Sequence, residues 1–166
     1  MSVTHTTVDS PVGELTVVAR DGALTGLYFP QHRRGPAADA IGEYTDEGFD
    51  EVRKQLGEYF AGTRRVFDLP LAPKGEDFHQ RVWAQLSTIP YGETRTYGQL
   101  ARALGDPGLA QAVGTANGRN PISIIVPCHR VVGADGNLTG YAGGLERKRF
   151  LLDLEVPVAS AVGRLF

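Results

Sequence analysis

Ile124-Ile125-Val126-Pro127-Cys128-His129-Arg130-Val131-Val132 sets a polar island of thiol, imidazole and guanidinium between two short apolar runs. Runs this short and this rich in β-branched residues fit a buried strand. Polar groups inside such a strand break the local pattern, and breaks of that kind gather at functional sites. Cys128 is the one cysteine of the chain. Two readings stand at this point. A free cysteine is among the most buried residue types and behaves as a small hydrophobe. A thiol beside cations has a lowered pKa and becomes a nucleophile.

Around this stretch lie 166 residues, enough for one or two compact domains with a substantial core. An apolar content of 42% and a charged content of 22% are ordinary for a globular protein. A single cysteine excludes an internal disulfide framework and a Cys-pair zinc site. His5, His32, His79 and His129 lack metal-ligand spacing, so neither a metal nor a cofactor is expected. No apolar run approaches the roughly 20 residues that a membrane helix needs. The first residues lack the charged-then-apolar pattern of a signal peptide. The expected location is the cytoplasm, where a reduced thiol persists.

Charge is uneven within a net −2. Residues 1–73 carry 7 Lys+Arg against 11 Asp+Glu, and residues 74–166 carry 10 against 8. Between 94 and 130, Arg95, Arg102, Arg119 and Arg130 face Asp106 alone. This weak basic footprint permits nucleic-acid binding without proving it, and on charge alone ordinary surface arginine is the better account.

Outward from the centre, the first half has the pattern of a β-meander. Residues 3–9, Glu14 to Ala19 and Leu24 to Phe29 are strand-like, with turns at Ser10-Pro11-Val12-Gly13 and Asp21-Gly22. Residues 30–42 form a loop, and Phe49, Val52, Leu56, Tyr59 and Phe60 share one helical face that Gly62 ends. Val66 to Leu69 fits a strand returning to the sheet. No chemistry is evident in residues 1–70, and Pro70-Leu71-Ala72-Pro73-Lys74-Gly75 marks a boundary.

The second half is mainly helical. Phe78, Val82, Trp83 and Leu86 mark a helix that stops near Ile89-Pro90. Thr96 caps a helix through Leu104, Gly105-Asp106-Pro107-Gly108 breaks it, and Leu109 to Asn117 resumes. Helix, short Gly-containing turn, helix is the helix-turn-helix pattern. Leu109, Ala112, Val113 and Ala116 share the packing face of the second helix. Its opposite face, Ala110, Gln111, Gly114, Thr115 and Gly118, is nearly bare. Such a face suits either close approach to a narrow groove or tight helix packing. Leu138 to Gly144 is a glycine-rich loop whose backbone approaches a ligand. Leu145, Phe150, Leu151 and Leu154 form the inner face of a last helix that ends at Glu155.

These blocks together resemble the O6-alkylguanine-DNA alkyltransferases, the methylated-DNA–protein-cysteine methyltransferases. The resemblance rests on Pro127-Cys128-His129-Arg130-Val131-Val132, on Pro90-Tyr91-Gly92-Glu93-Thr94 with Tyr97, on Ala112-Val113-Gly114 leading to Asn120-Pro121, and on Gly140-Tyr141-Ala142-Gly143-Gly144 before Glu155. It is close over residues 78–155 and loose over 1–73. The implied fold is α/β (α+β). A small N-terminal β-sheet and helix form a domain over 1–73. A mainly helical, winged helix-turn-helix domain over 74–166 carries the cysteine, with the helix-turn-helix at about 96–117.

The resemblance also implies a function. A single-turnover DNA repair protein takes a methyl or alkyl group from O6-alkylguanine, and by extension O4-alkylthymine, on to its own Cys128. A non-enzymatic lesion binder of the same fold and a cysteine hydrolase are the alternatives. Cys128 is similar to the family nucleophile, and His129 and Glu155 to the relay that removes the thiol proton through a water. Tyr97 resembles the hydrogen-bond donor to the departing base, and Asn120 the hinge between the helix-turn-helix and the site. Val131, Tyr141 and Ala142 line the base pocket. Ala110, Gln111, Gly114, Thr115, Gly118 and Arg119 meet the minor groove of double-stranded DNA, from which the base is flipped. The protein is expected to act as a monomer, without membrane or metal. Gln111 departs from the pattern, since the family usually places an arginine there to fill the space left by the flipped base.

Overall fold

The computed structural model describes residues 3–30, 38–138, 141 and 143–156. The meander forms as expected. Strands β1 (Val3–Val8), β2 (Leu15–Arg20) and β3 (Ala23–Tyr28) pair antiparallel, with Val3 opposite Arg20 and Val8 opposite Leu15. Asp21 (φ 51°) and Gly22 (φ 84°) supply the two left-handed residues that a tight hairpin requires. A two-residue strand, β4 (Glu43–Tyr44), joins β1 in parallel and gives the order β3-β2-β1-β4. The expected loop at 30–42 therefore ends in structure, a 3-10 turn at Ala38–Ile41 leading into β4, while residues 31–37 lie outside the described residues.

Helix α1 (Asp50–Phe60) buries Val52, Leu56 and Tyr59 at helical spacing, together with Gln55. Gln55 accounts for one difference from expectation, because Val66 to Leu69 is not a strand. The Gln55 amide donates to the Asp68 carbonyl (3.0 Å) and accepts from the Asp68 N–H (2.8 Å), so a side chain takes the place of a sheet neighbour. Contact with β3 comes later, where Leu24 N–H donates to Pro70 and Ala72 N–H donates to Leu24.

Helices α2 (Asp77–Leu86), α3 (Tyr97–Ala103), α4 (Ala110–Gly118) and α5 (Leu145–Glu155) build the second half. Thr96 and Gln99 cap α3 reciprocally, as a capping box does. Asp106 and Pro107–Leu109 turn the chain into α4. The Trp83 indole N–H donates to the Ala116 carbonyl at 2.9 Å and locks α2 to α4. Strands β5 (Arg95–Thr96) and β6 (Val131–Val132) form a short parallel pair. The fold is thus mixed α/β, a sheet half followed by a helical half. The buried apolar side chains of both form one cluster, from Val8 through Tyr59 and Trp83 to Leu151.

Three further expectations fail. Cys128–Arg130 is a 3-10 turn and not part of a buried strand. Ala112 is exposed, and Asn117 takes its place on the packed face of α4 with Val113 and Ala116. On α5, Leu145 and Phe150 face outward, while Lys148, Leu151 and Glu155 face inward. Polar partners beyond the helix, not apolar periodicity, set its rotation.

The sheet half braces the segment on either side of Cys128. Leu27 N–H donates to Pro121 (2.8 Å) and Ser123 N–H donates to Leu27 (3.3 Å). The Arg147 guanidinium donates to the carbonyls of Val12, Pro30 and Gly143 and lies over the Phe29 ring. Gly143 sits against Phe29 so closely that an added Cβ would lie 2.4 Å from its ring. The glycine at this position serves packing against Phe29. Gly143→Ala is expected to destabilise the protein by about 1–3 kcal/mol through overpacking. Phe29→Leu should offset part of that loss, and a double-mutant cycle from denaturant titrations reads the coupling.

Candidate active site

Asn120 shapes the turn that presents Cys128. Its side-chain oxygen accepts from Ile122 N–H (3.0 Å) and its amide donates to the Val126 carbonyl (2.8 Å). Between these contacts Ile124 adopts φ 73°, a left-handed conformation that a β-branched residue takes only when its surroundings enforce it. The Cys128 N–H then donates to Val126, and the Asn117 amide of α4 donates to the Cys128 carbonyl at 3.4 Å.

The thiol is buried. Burial pushes its pKa up, against hydrogen bonding from Asn120 and Tyr141 and the charge of Lys148. This corrects the expectation that adjacent cations depress it. The cation acting on the thiol is Lys148, one of the inward residues of α5. Lys148 is itself fully buried, which lowers its pKa to about 8 against the raising influence of Cys128. The Tyr141 hydroxyl is buried beside Cys128 and Ser123 and has no partner at full hydrogen-bonding geometry among the described residues.

His129 and Arg130 turn instead to Glu155. The carboxylate receives His129 Nε2 at 2.7 Å, Arg130 Nε at 2.7 Å and Arg130 Nη2 at 3.0 Å, and the hydroxyl of Tyr59 on α1 donates to Oε2. Arg130 Nη1 also donates to the Ile89 carbonyl at 2.7 Å. Burial alone would raise the Glu155 pKa, but the hydrogen bonds and charges of His129 and Arg130 hold it down at about 2. Burial lowers the His129 pKa, opposed by Glu155. With Glu155 ionised, Nε2 carries the imidazole proton and Nδ1 is the bare nitrogen, buried and without a partner among the described residues. The result is a thiol, an amine, an oriented imidazole and a fixed carboxylate within one water-poor site.

Comparison with known proteins agrees with this chemistry. The model of the 6-O-methylguanine DNA methyltransferase ribonuclease-like domain matches residues 3–73, and that of the 6-O-methylguanine DNA methyltransferase DNA binding domain matches residues 77–156. The chain belongs to the methylated-DNA–protein-cysteine methyltransferase family. The Mycolicibacterium paratuberculosis member is 52% identical over 153 residues, 92% of each chain. The Methanosarcina acetivorans member is 48% identical over 147 residues, 89% of this chain and 94% of its own. The Mycobacterium tuberculosis OGT in complex with DNA superimposes with a TM-score of 0.86 at 52% identity, covering 92% of each chain.

The remaining residues singled out from the sequence of this family member fall in three places. Tyr97 is half-buried at the start of α3, where a Cβ on Gly114 would lie 3.7 Å from its ring. Val131 is fully buried in β6, Tyr141 packs edge-on against Phe29 at 5.8 Å, and Ala142 lies outside the described residues. On α4, Gln111, Thr115 and Gly118 are exposed and Ala110 and Gly114 half-exposed, with exposed Arg119 at the helix end. A cleft of about 680 Å³ between the Pro11–Gly13 turn and Arg147 reaches Tyr141 and Gly143 but does not include Cys128 on its wall.

Lys148 and Tyr59 were missed. Lys148 is in helical phase with Leu151 and Glu155, a spacing that signals a buried charged face. Tyr59 fitted an apolar stripe and gave no signal.

Glu155 ties this site to acid stability. Its folded pKa of about 2 lies below the ordinary 4.5, so its stabilising contribution is complete above pH 4.5 and is lost as pH falls toward 2. Glu155→Gln should flatten that part of the stability–pH curve. At neutral pH it should cost about 3–5 kcal/mol, because Arg130 would remain buried without its anion. Urea midpoints between pH 2 and 7 measure both effects.

Proposed function

We propose that this protein removes methyl and larger alkyl groups from guanine O6 in double-stranded DNA by transferring them irreversibly to Cys128. The observation that carries this reading is the buried Cys128 thiol beside the His129–Glu155 pair. A soft thiolate attacks the alkyl carbon, the carbon–O6 bond breaks, and its electron pair passes to the base. The thiol proton leaves to His129 Nδ1 through a bridging water, while Glu155 keeps the opposite nitrogen protonated and stabilises the imidazolium. The product thioether has no hydrolysable bond, so each chain acts once. O4-alkylthymine presents the same alkyl–oxygen bond and is a second candidate substrate.

Tyr97 donates to the base as negative charge develops on it. Asn120 holds the turn that carries the nucleophile. Val131, Tyr141 and Ala142 bound the base pocket. Residues 74–166 act as the reacting domain and residues 1–73 as its support. The exposed face of α4, from Ala110 and Gln111 through Gly114, Thr115 and Gly118 to Arg119, lies in the minor groove. Its bareness suits a groove whose code is degenerate and a lesion found in any sequence. The damaged base is flipped to reach the buried thiol. The protein works as a monomer in the cytoplasm, where a free thiol stays reduced.

Incubation with duplex containing O6-methylguanine should add one methyl per chain, mapped by peptide mass spectrometry to Cys128. Cys128→Ser should bind the same duplex and gain nothing. A second methyl, or repeated turnover, would contradict the reading.

Gln111→Arg should improve transfer from duplex. Position 111 is exposed, so a longer side chain disturbs no packing. A planar cation stacking in the vacated space gains up to about 1–3 kcal/mol. One added phosphate contact should steepen the salt dependence of binding by about one unit. Reaction with the free modified base, which needs no flipping, should be unchanged. Single-turnover rates and salt titrations check each part.

A further inference from the structure

The Glu155 carboxylate has a donor that neither the helical half nor the relay accounts for. Tyr59 lies on α1, 96 residues away in sequence, and is fully buried. Its hydroxyl donates to Oε2, the same oxygen that holds His129 Nε2 and Arg130 Nη2. The ring is fixed by edge contacts with Phe60 and Tyr91 and by Phe67. Tyr91 extends the brace, since it lies under the guanidiniums of Arg130 and Arg65 and donates to the carbonyl of Leu154, the residue before Glu155. Burial, then the neighbouring carboxylate, raises the Tyr59 pKa far above the usual tyrosine value, so the phenol keeps its proton. It holds Glu155 and does not relay a proton.

We propose that Tyr59 is a positioning residue of the transfer reaction, through which the sheet half of the chain sets the orientation and basicity of His129. The proposal rests on Cys128 being the alkyl acceptor with His129 as its base. A donor on Oε2 withdraws charge from the oxygen that faces the imidazole and fixes the oxygen in line with Nε2. The charged and titratable groups around His129 are Glu155 and Lys148 of α5, Arg130 and Cys128 of its own turn, and Tyr59 of α1 behind the carboxylate. Tyr59 is neutral, so removing its hydroxyl leaves the count of charges unchanged. The charge left on Oε2 then raises the His129 pKa.

The test uses the full chain in three forms: unaltered, Tyr59→Phe, and with 3-fluorotyrosine at position 59. Fluorination keeps ring and hydroxyl but makes the hydroxyl a stronger donor. Single-turnover methyl transfer from saturating duplex is measured across pH, with DNA affinity and the ¹⁵N shifts of the His129 imidazole read in parallel. Tyr59→Phe should slow transfer by about five- to fiftyfold through misorientation, leave affinity unchanged, and move the acid limb and the His129 titration to higher pH. Fluorotyrosine should move both to lower pH. Opposite displacements are a signature that a purely structural tyrosine would not produce. Profiles superimposable on the unaltered protein, or a rate loss with an unmoved limb and unmoved ¹⁵N titration, overturn the proposal. If Tyr59→Phe does not fold, the fluorotyrosine chain decides alone by the same criterion. If the unaltered chain transfers no methyl while the His129 titration responds to position 59, the alkyl-acceptor reading fails and the positioning of His129 by Tyr59 stands.

Discussion

A carboxylate buried at Glu155 is the constraint around which both halves of the chain are arranged. An ionised carboxylate removed from water costs several kcal/mol unless it is paired and hydrogen-bonded. The carboxylate and its partners here span three separate elements: Glu155 itself on α5, Tyr59 on α1, and His129 and Arg130 on the 3-10 turn. Neither the turn nor α5 can move alone without orphaning a charge, and α1 cannot move without taking a hydrogen bond from the carboxylate. The rotation of α5 follows from this, since turning Glu155 inward also turns Lys148 inward and leaves Leu145 and Phe150 at the surface.

That rotation connects two electrostatic centres. One is the thiol with Lys148, Asn120 and Tyr141, and the other is the carboxylate with His129 and Arg130. They meet in consecutive residues, Cys128 and His129, which lets a short turn serve both. The sheet half supports each separately. Leu27 and Phe29 brace the thiol side through Pro121, Ser123 and Tyr141, and Tyr59 braces the carboxylate side.

Local signals made much of this legible in the sequence. The meander followed from Asp21-Gly22 and alternating residues, the start of α3 from Thr96, and the family from the Pro127–Val132 block with its companions. What escaped was set by which side chains pair with the backbone or with a charge, which composition does not encode. Val66–Leu69 has strand composition, but Gln55 satisfies its backbone. Ile124–Val132 has strand composition, but Asn120 folds its centre into a turn. Lys148 and Glu155 break the apolar pattern of α5 because their partners lie outside it. Tyr59 is indistinguishable from a core aromatic until its distant acceptor is seen. The exposed face of α4 was legible because its neighbours are local, apart from the exchange of Ala112 for Asn117.

Ile124 shows what the turn is built for. A left-handed β-branched residue costs about 1–3 kcal/mol in backbone strain, and burying its side chain returns about 1.5–3 kcal/mol. Glycine would relax the dihedral, but it would empty the buried site and give the unfolded chain more conformations to lose on folding. These contributions are of similar size and opposite sign, so stability is nearly indifferent to the choice. Reproducibility is not. Isoleucine admits few rotamers and few backbone states, and so narrows the spread of positions available to the sulfur four residues on. The turn trades conformational freedom for a small positional variance at the one atom that has to meet an incoming carbon.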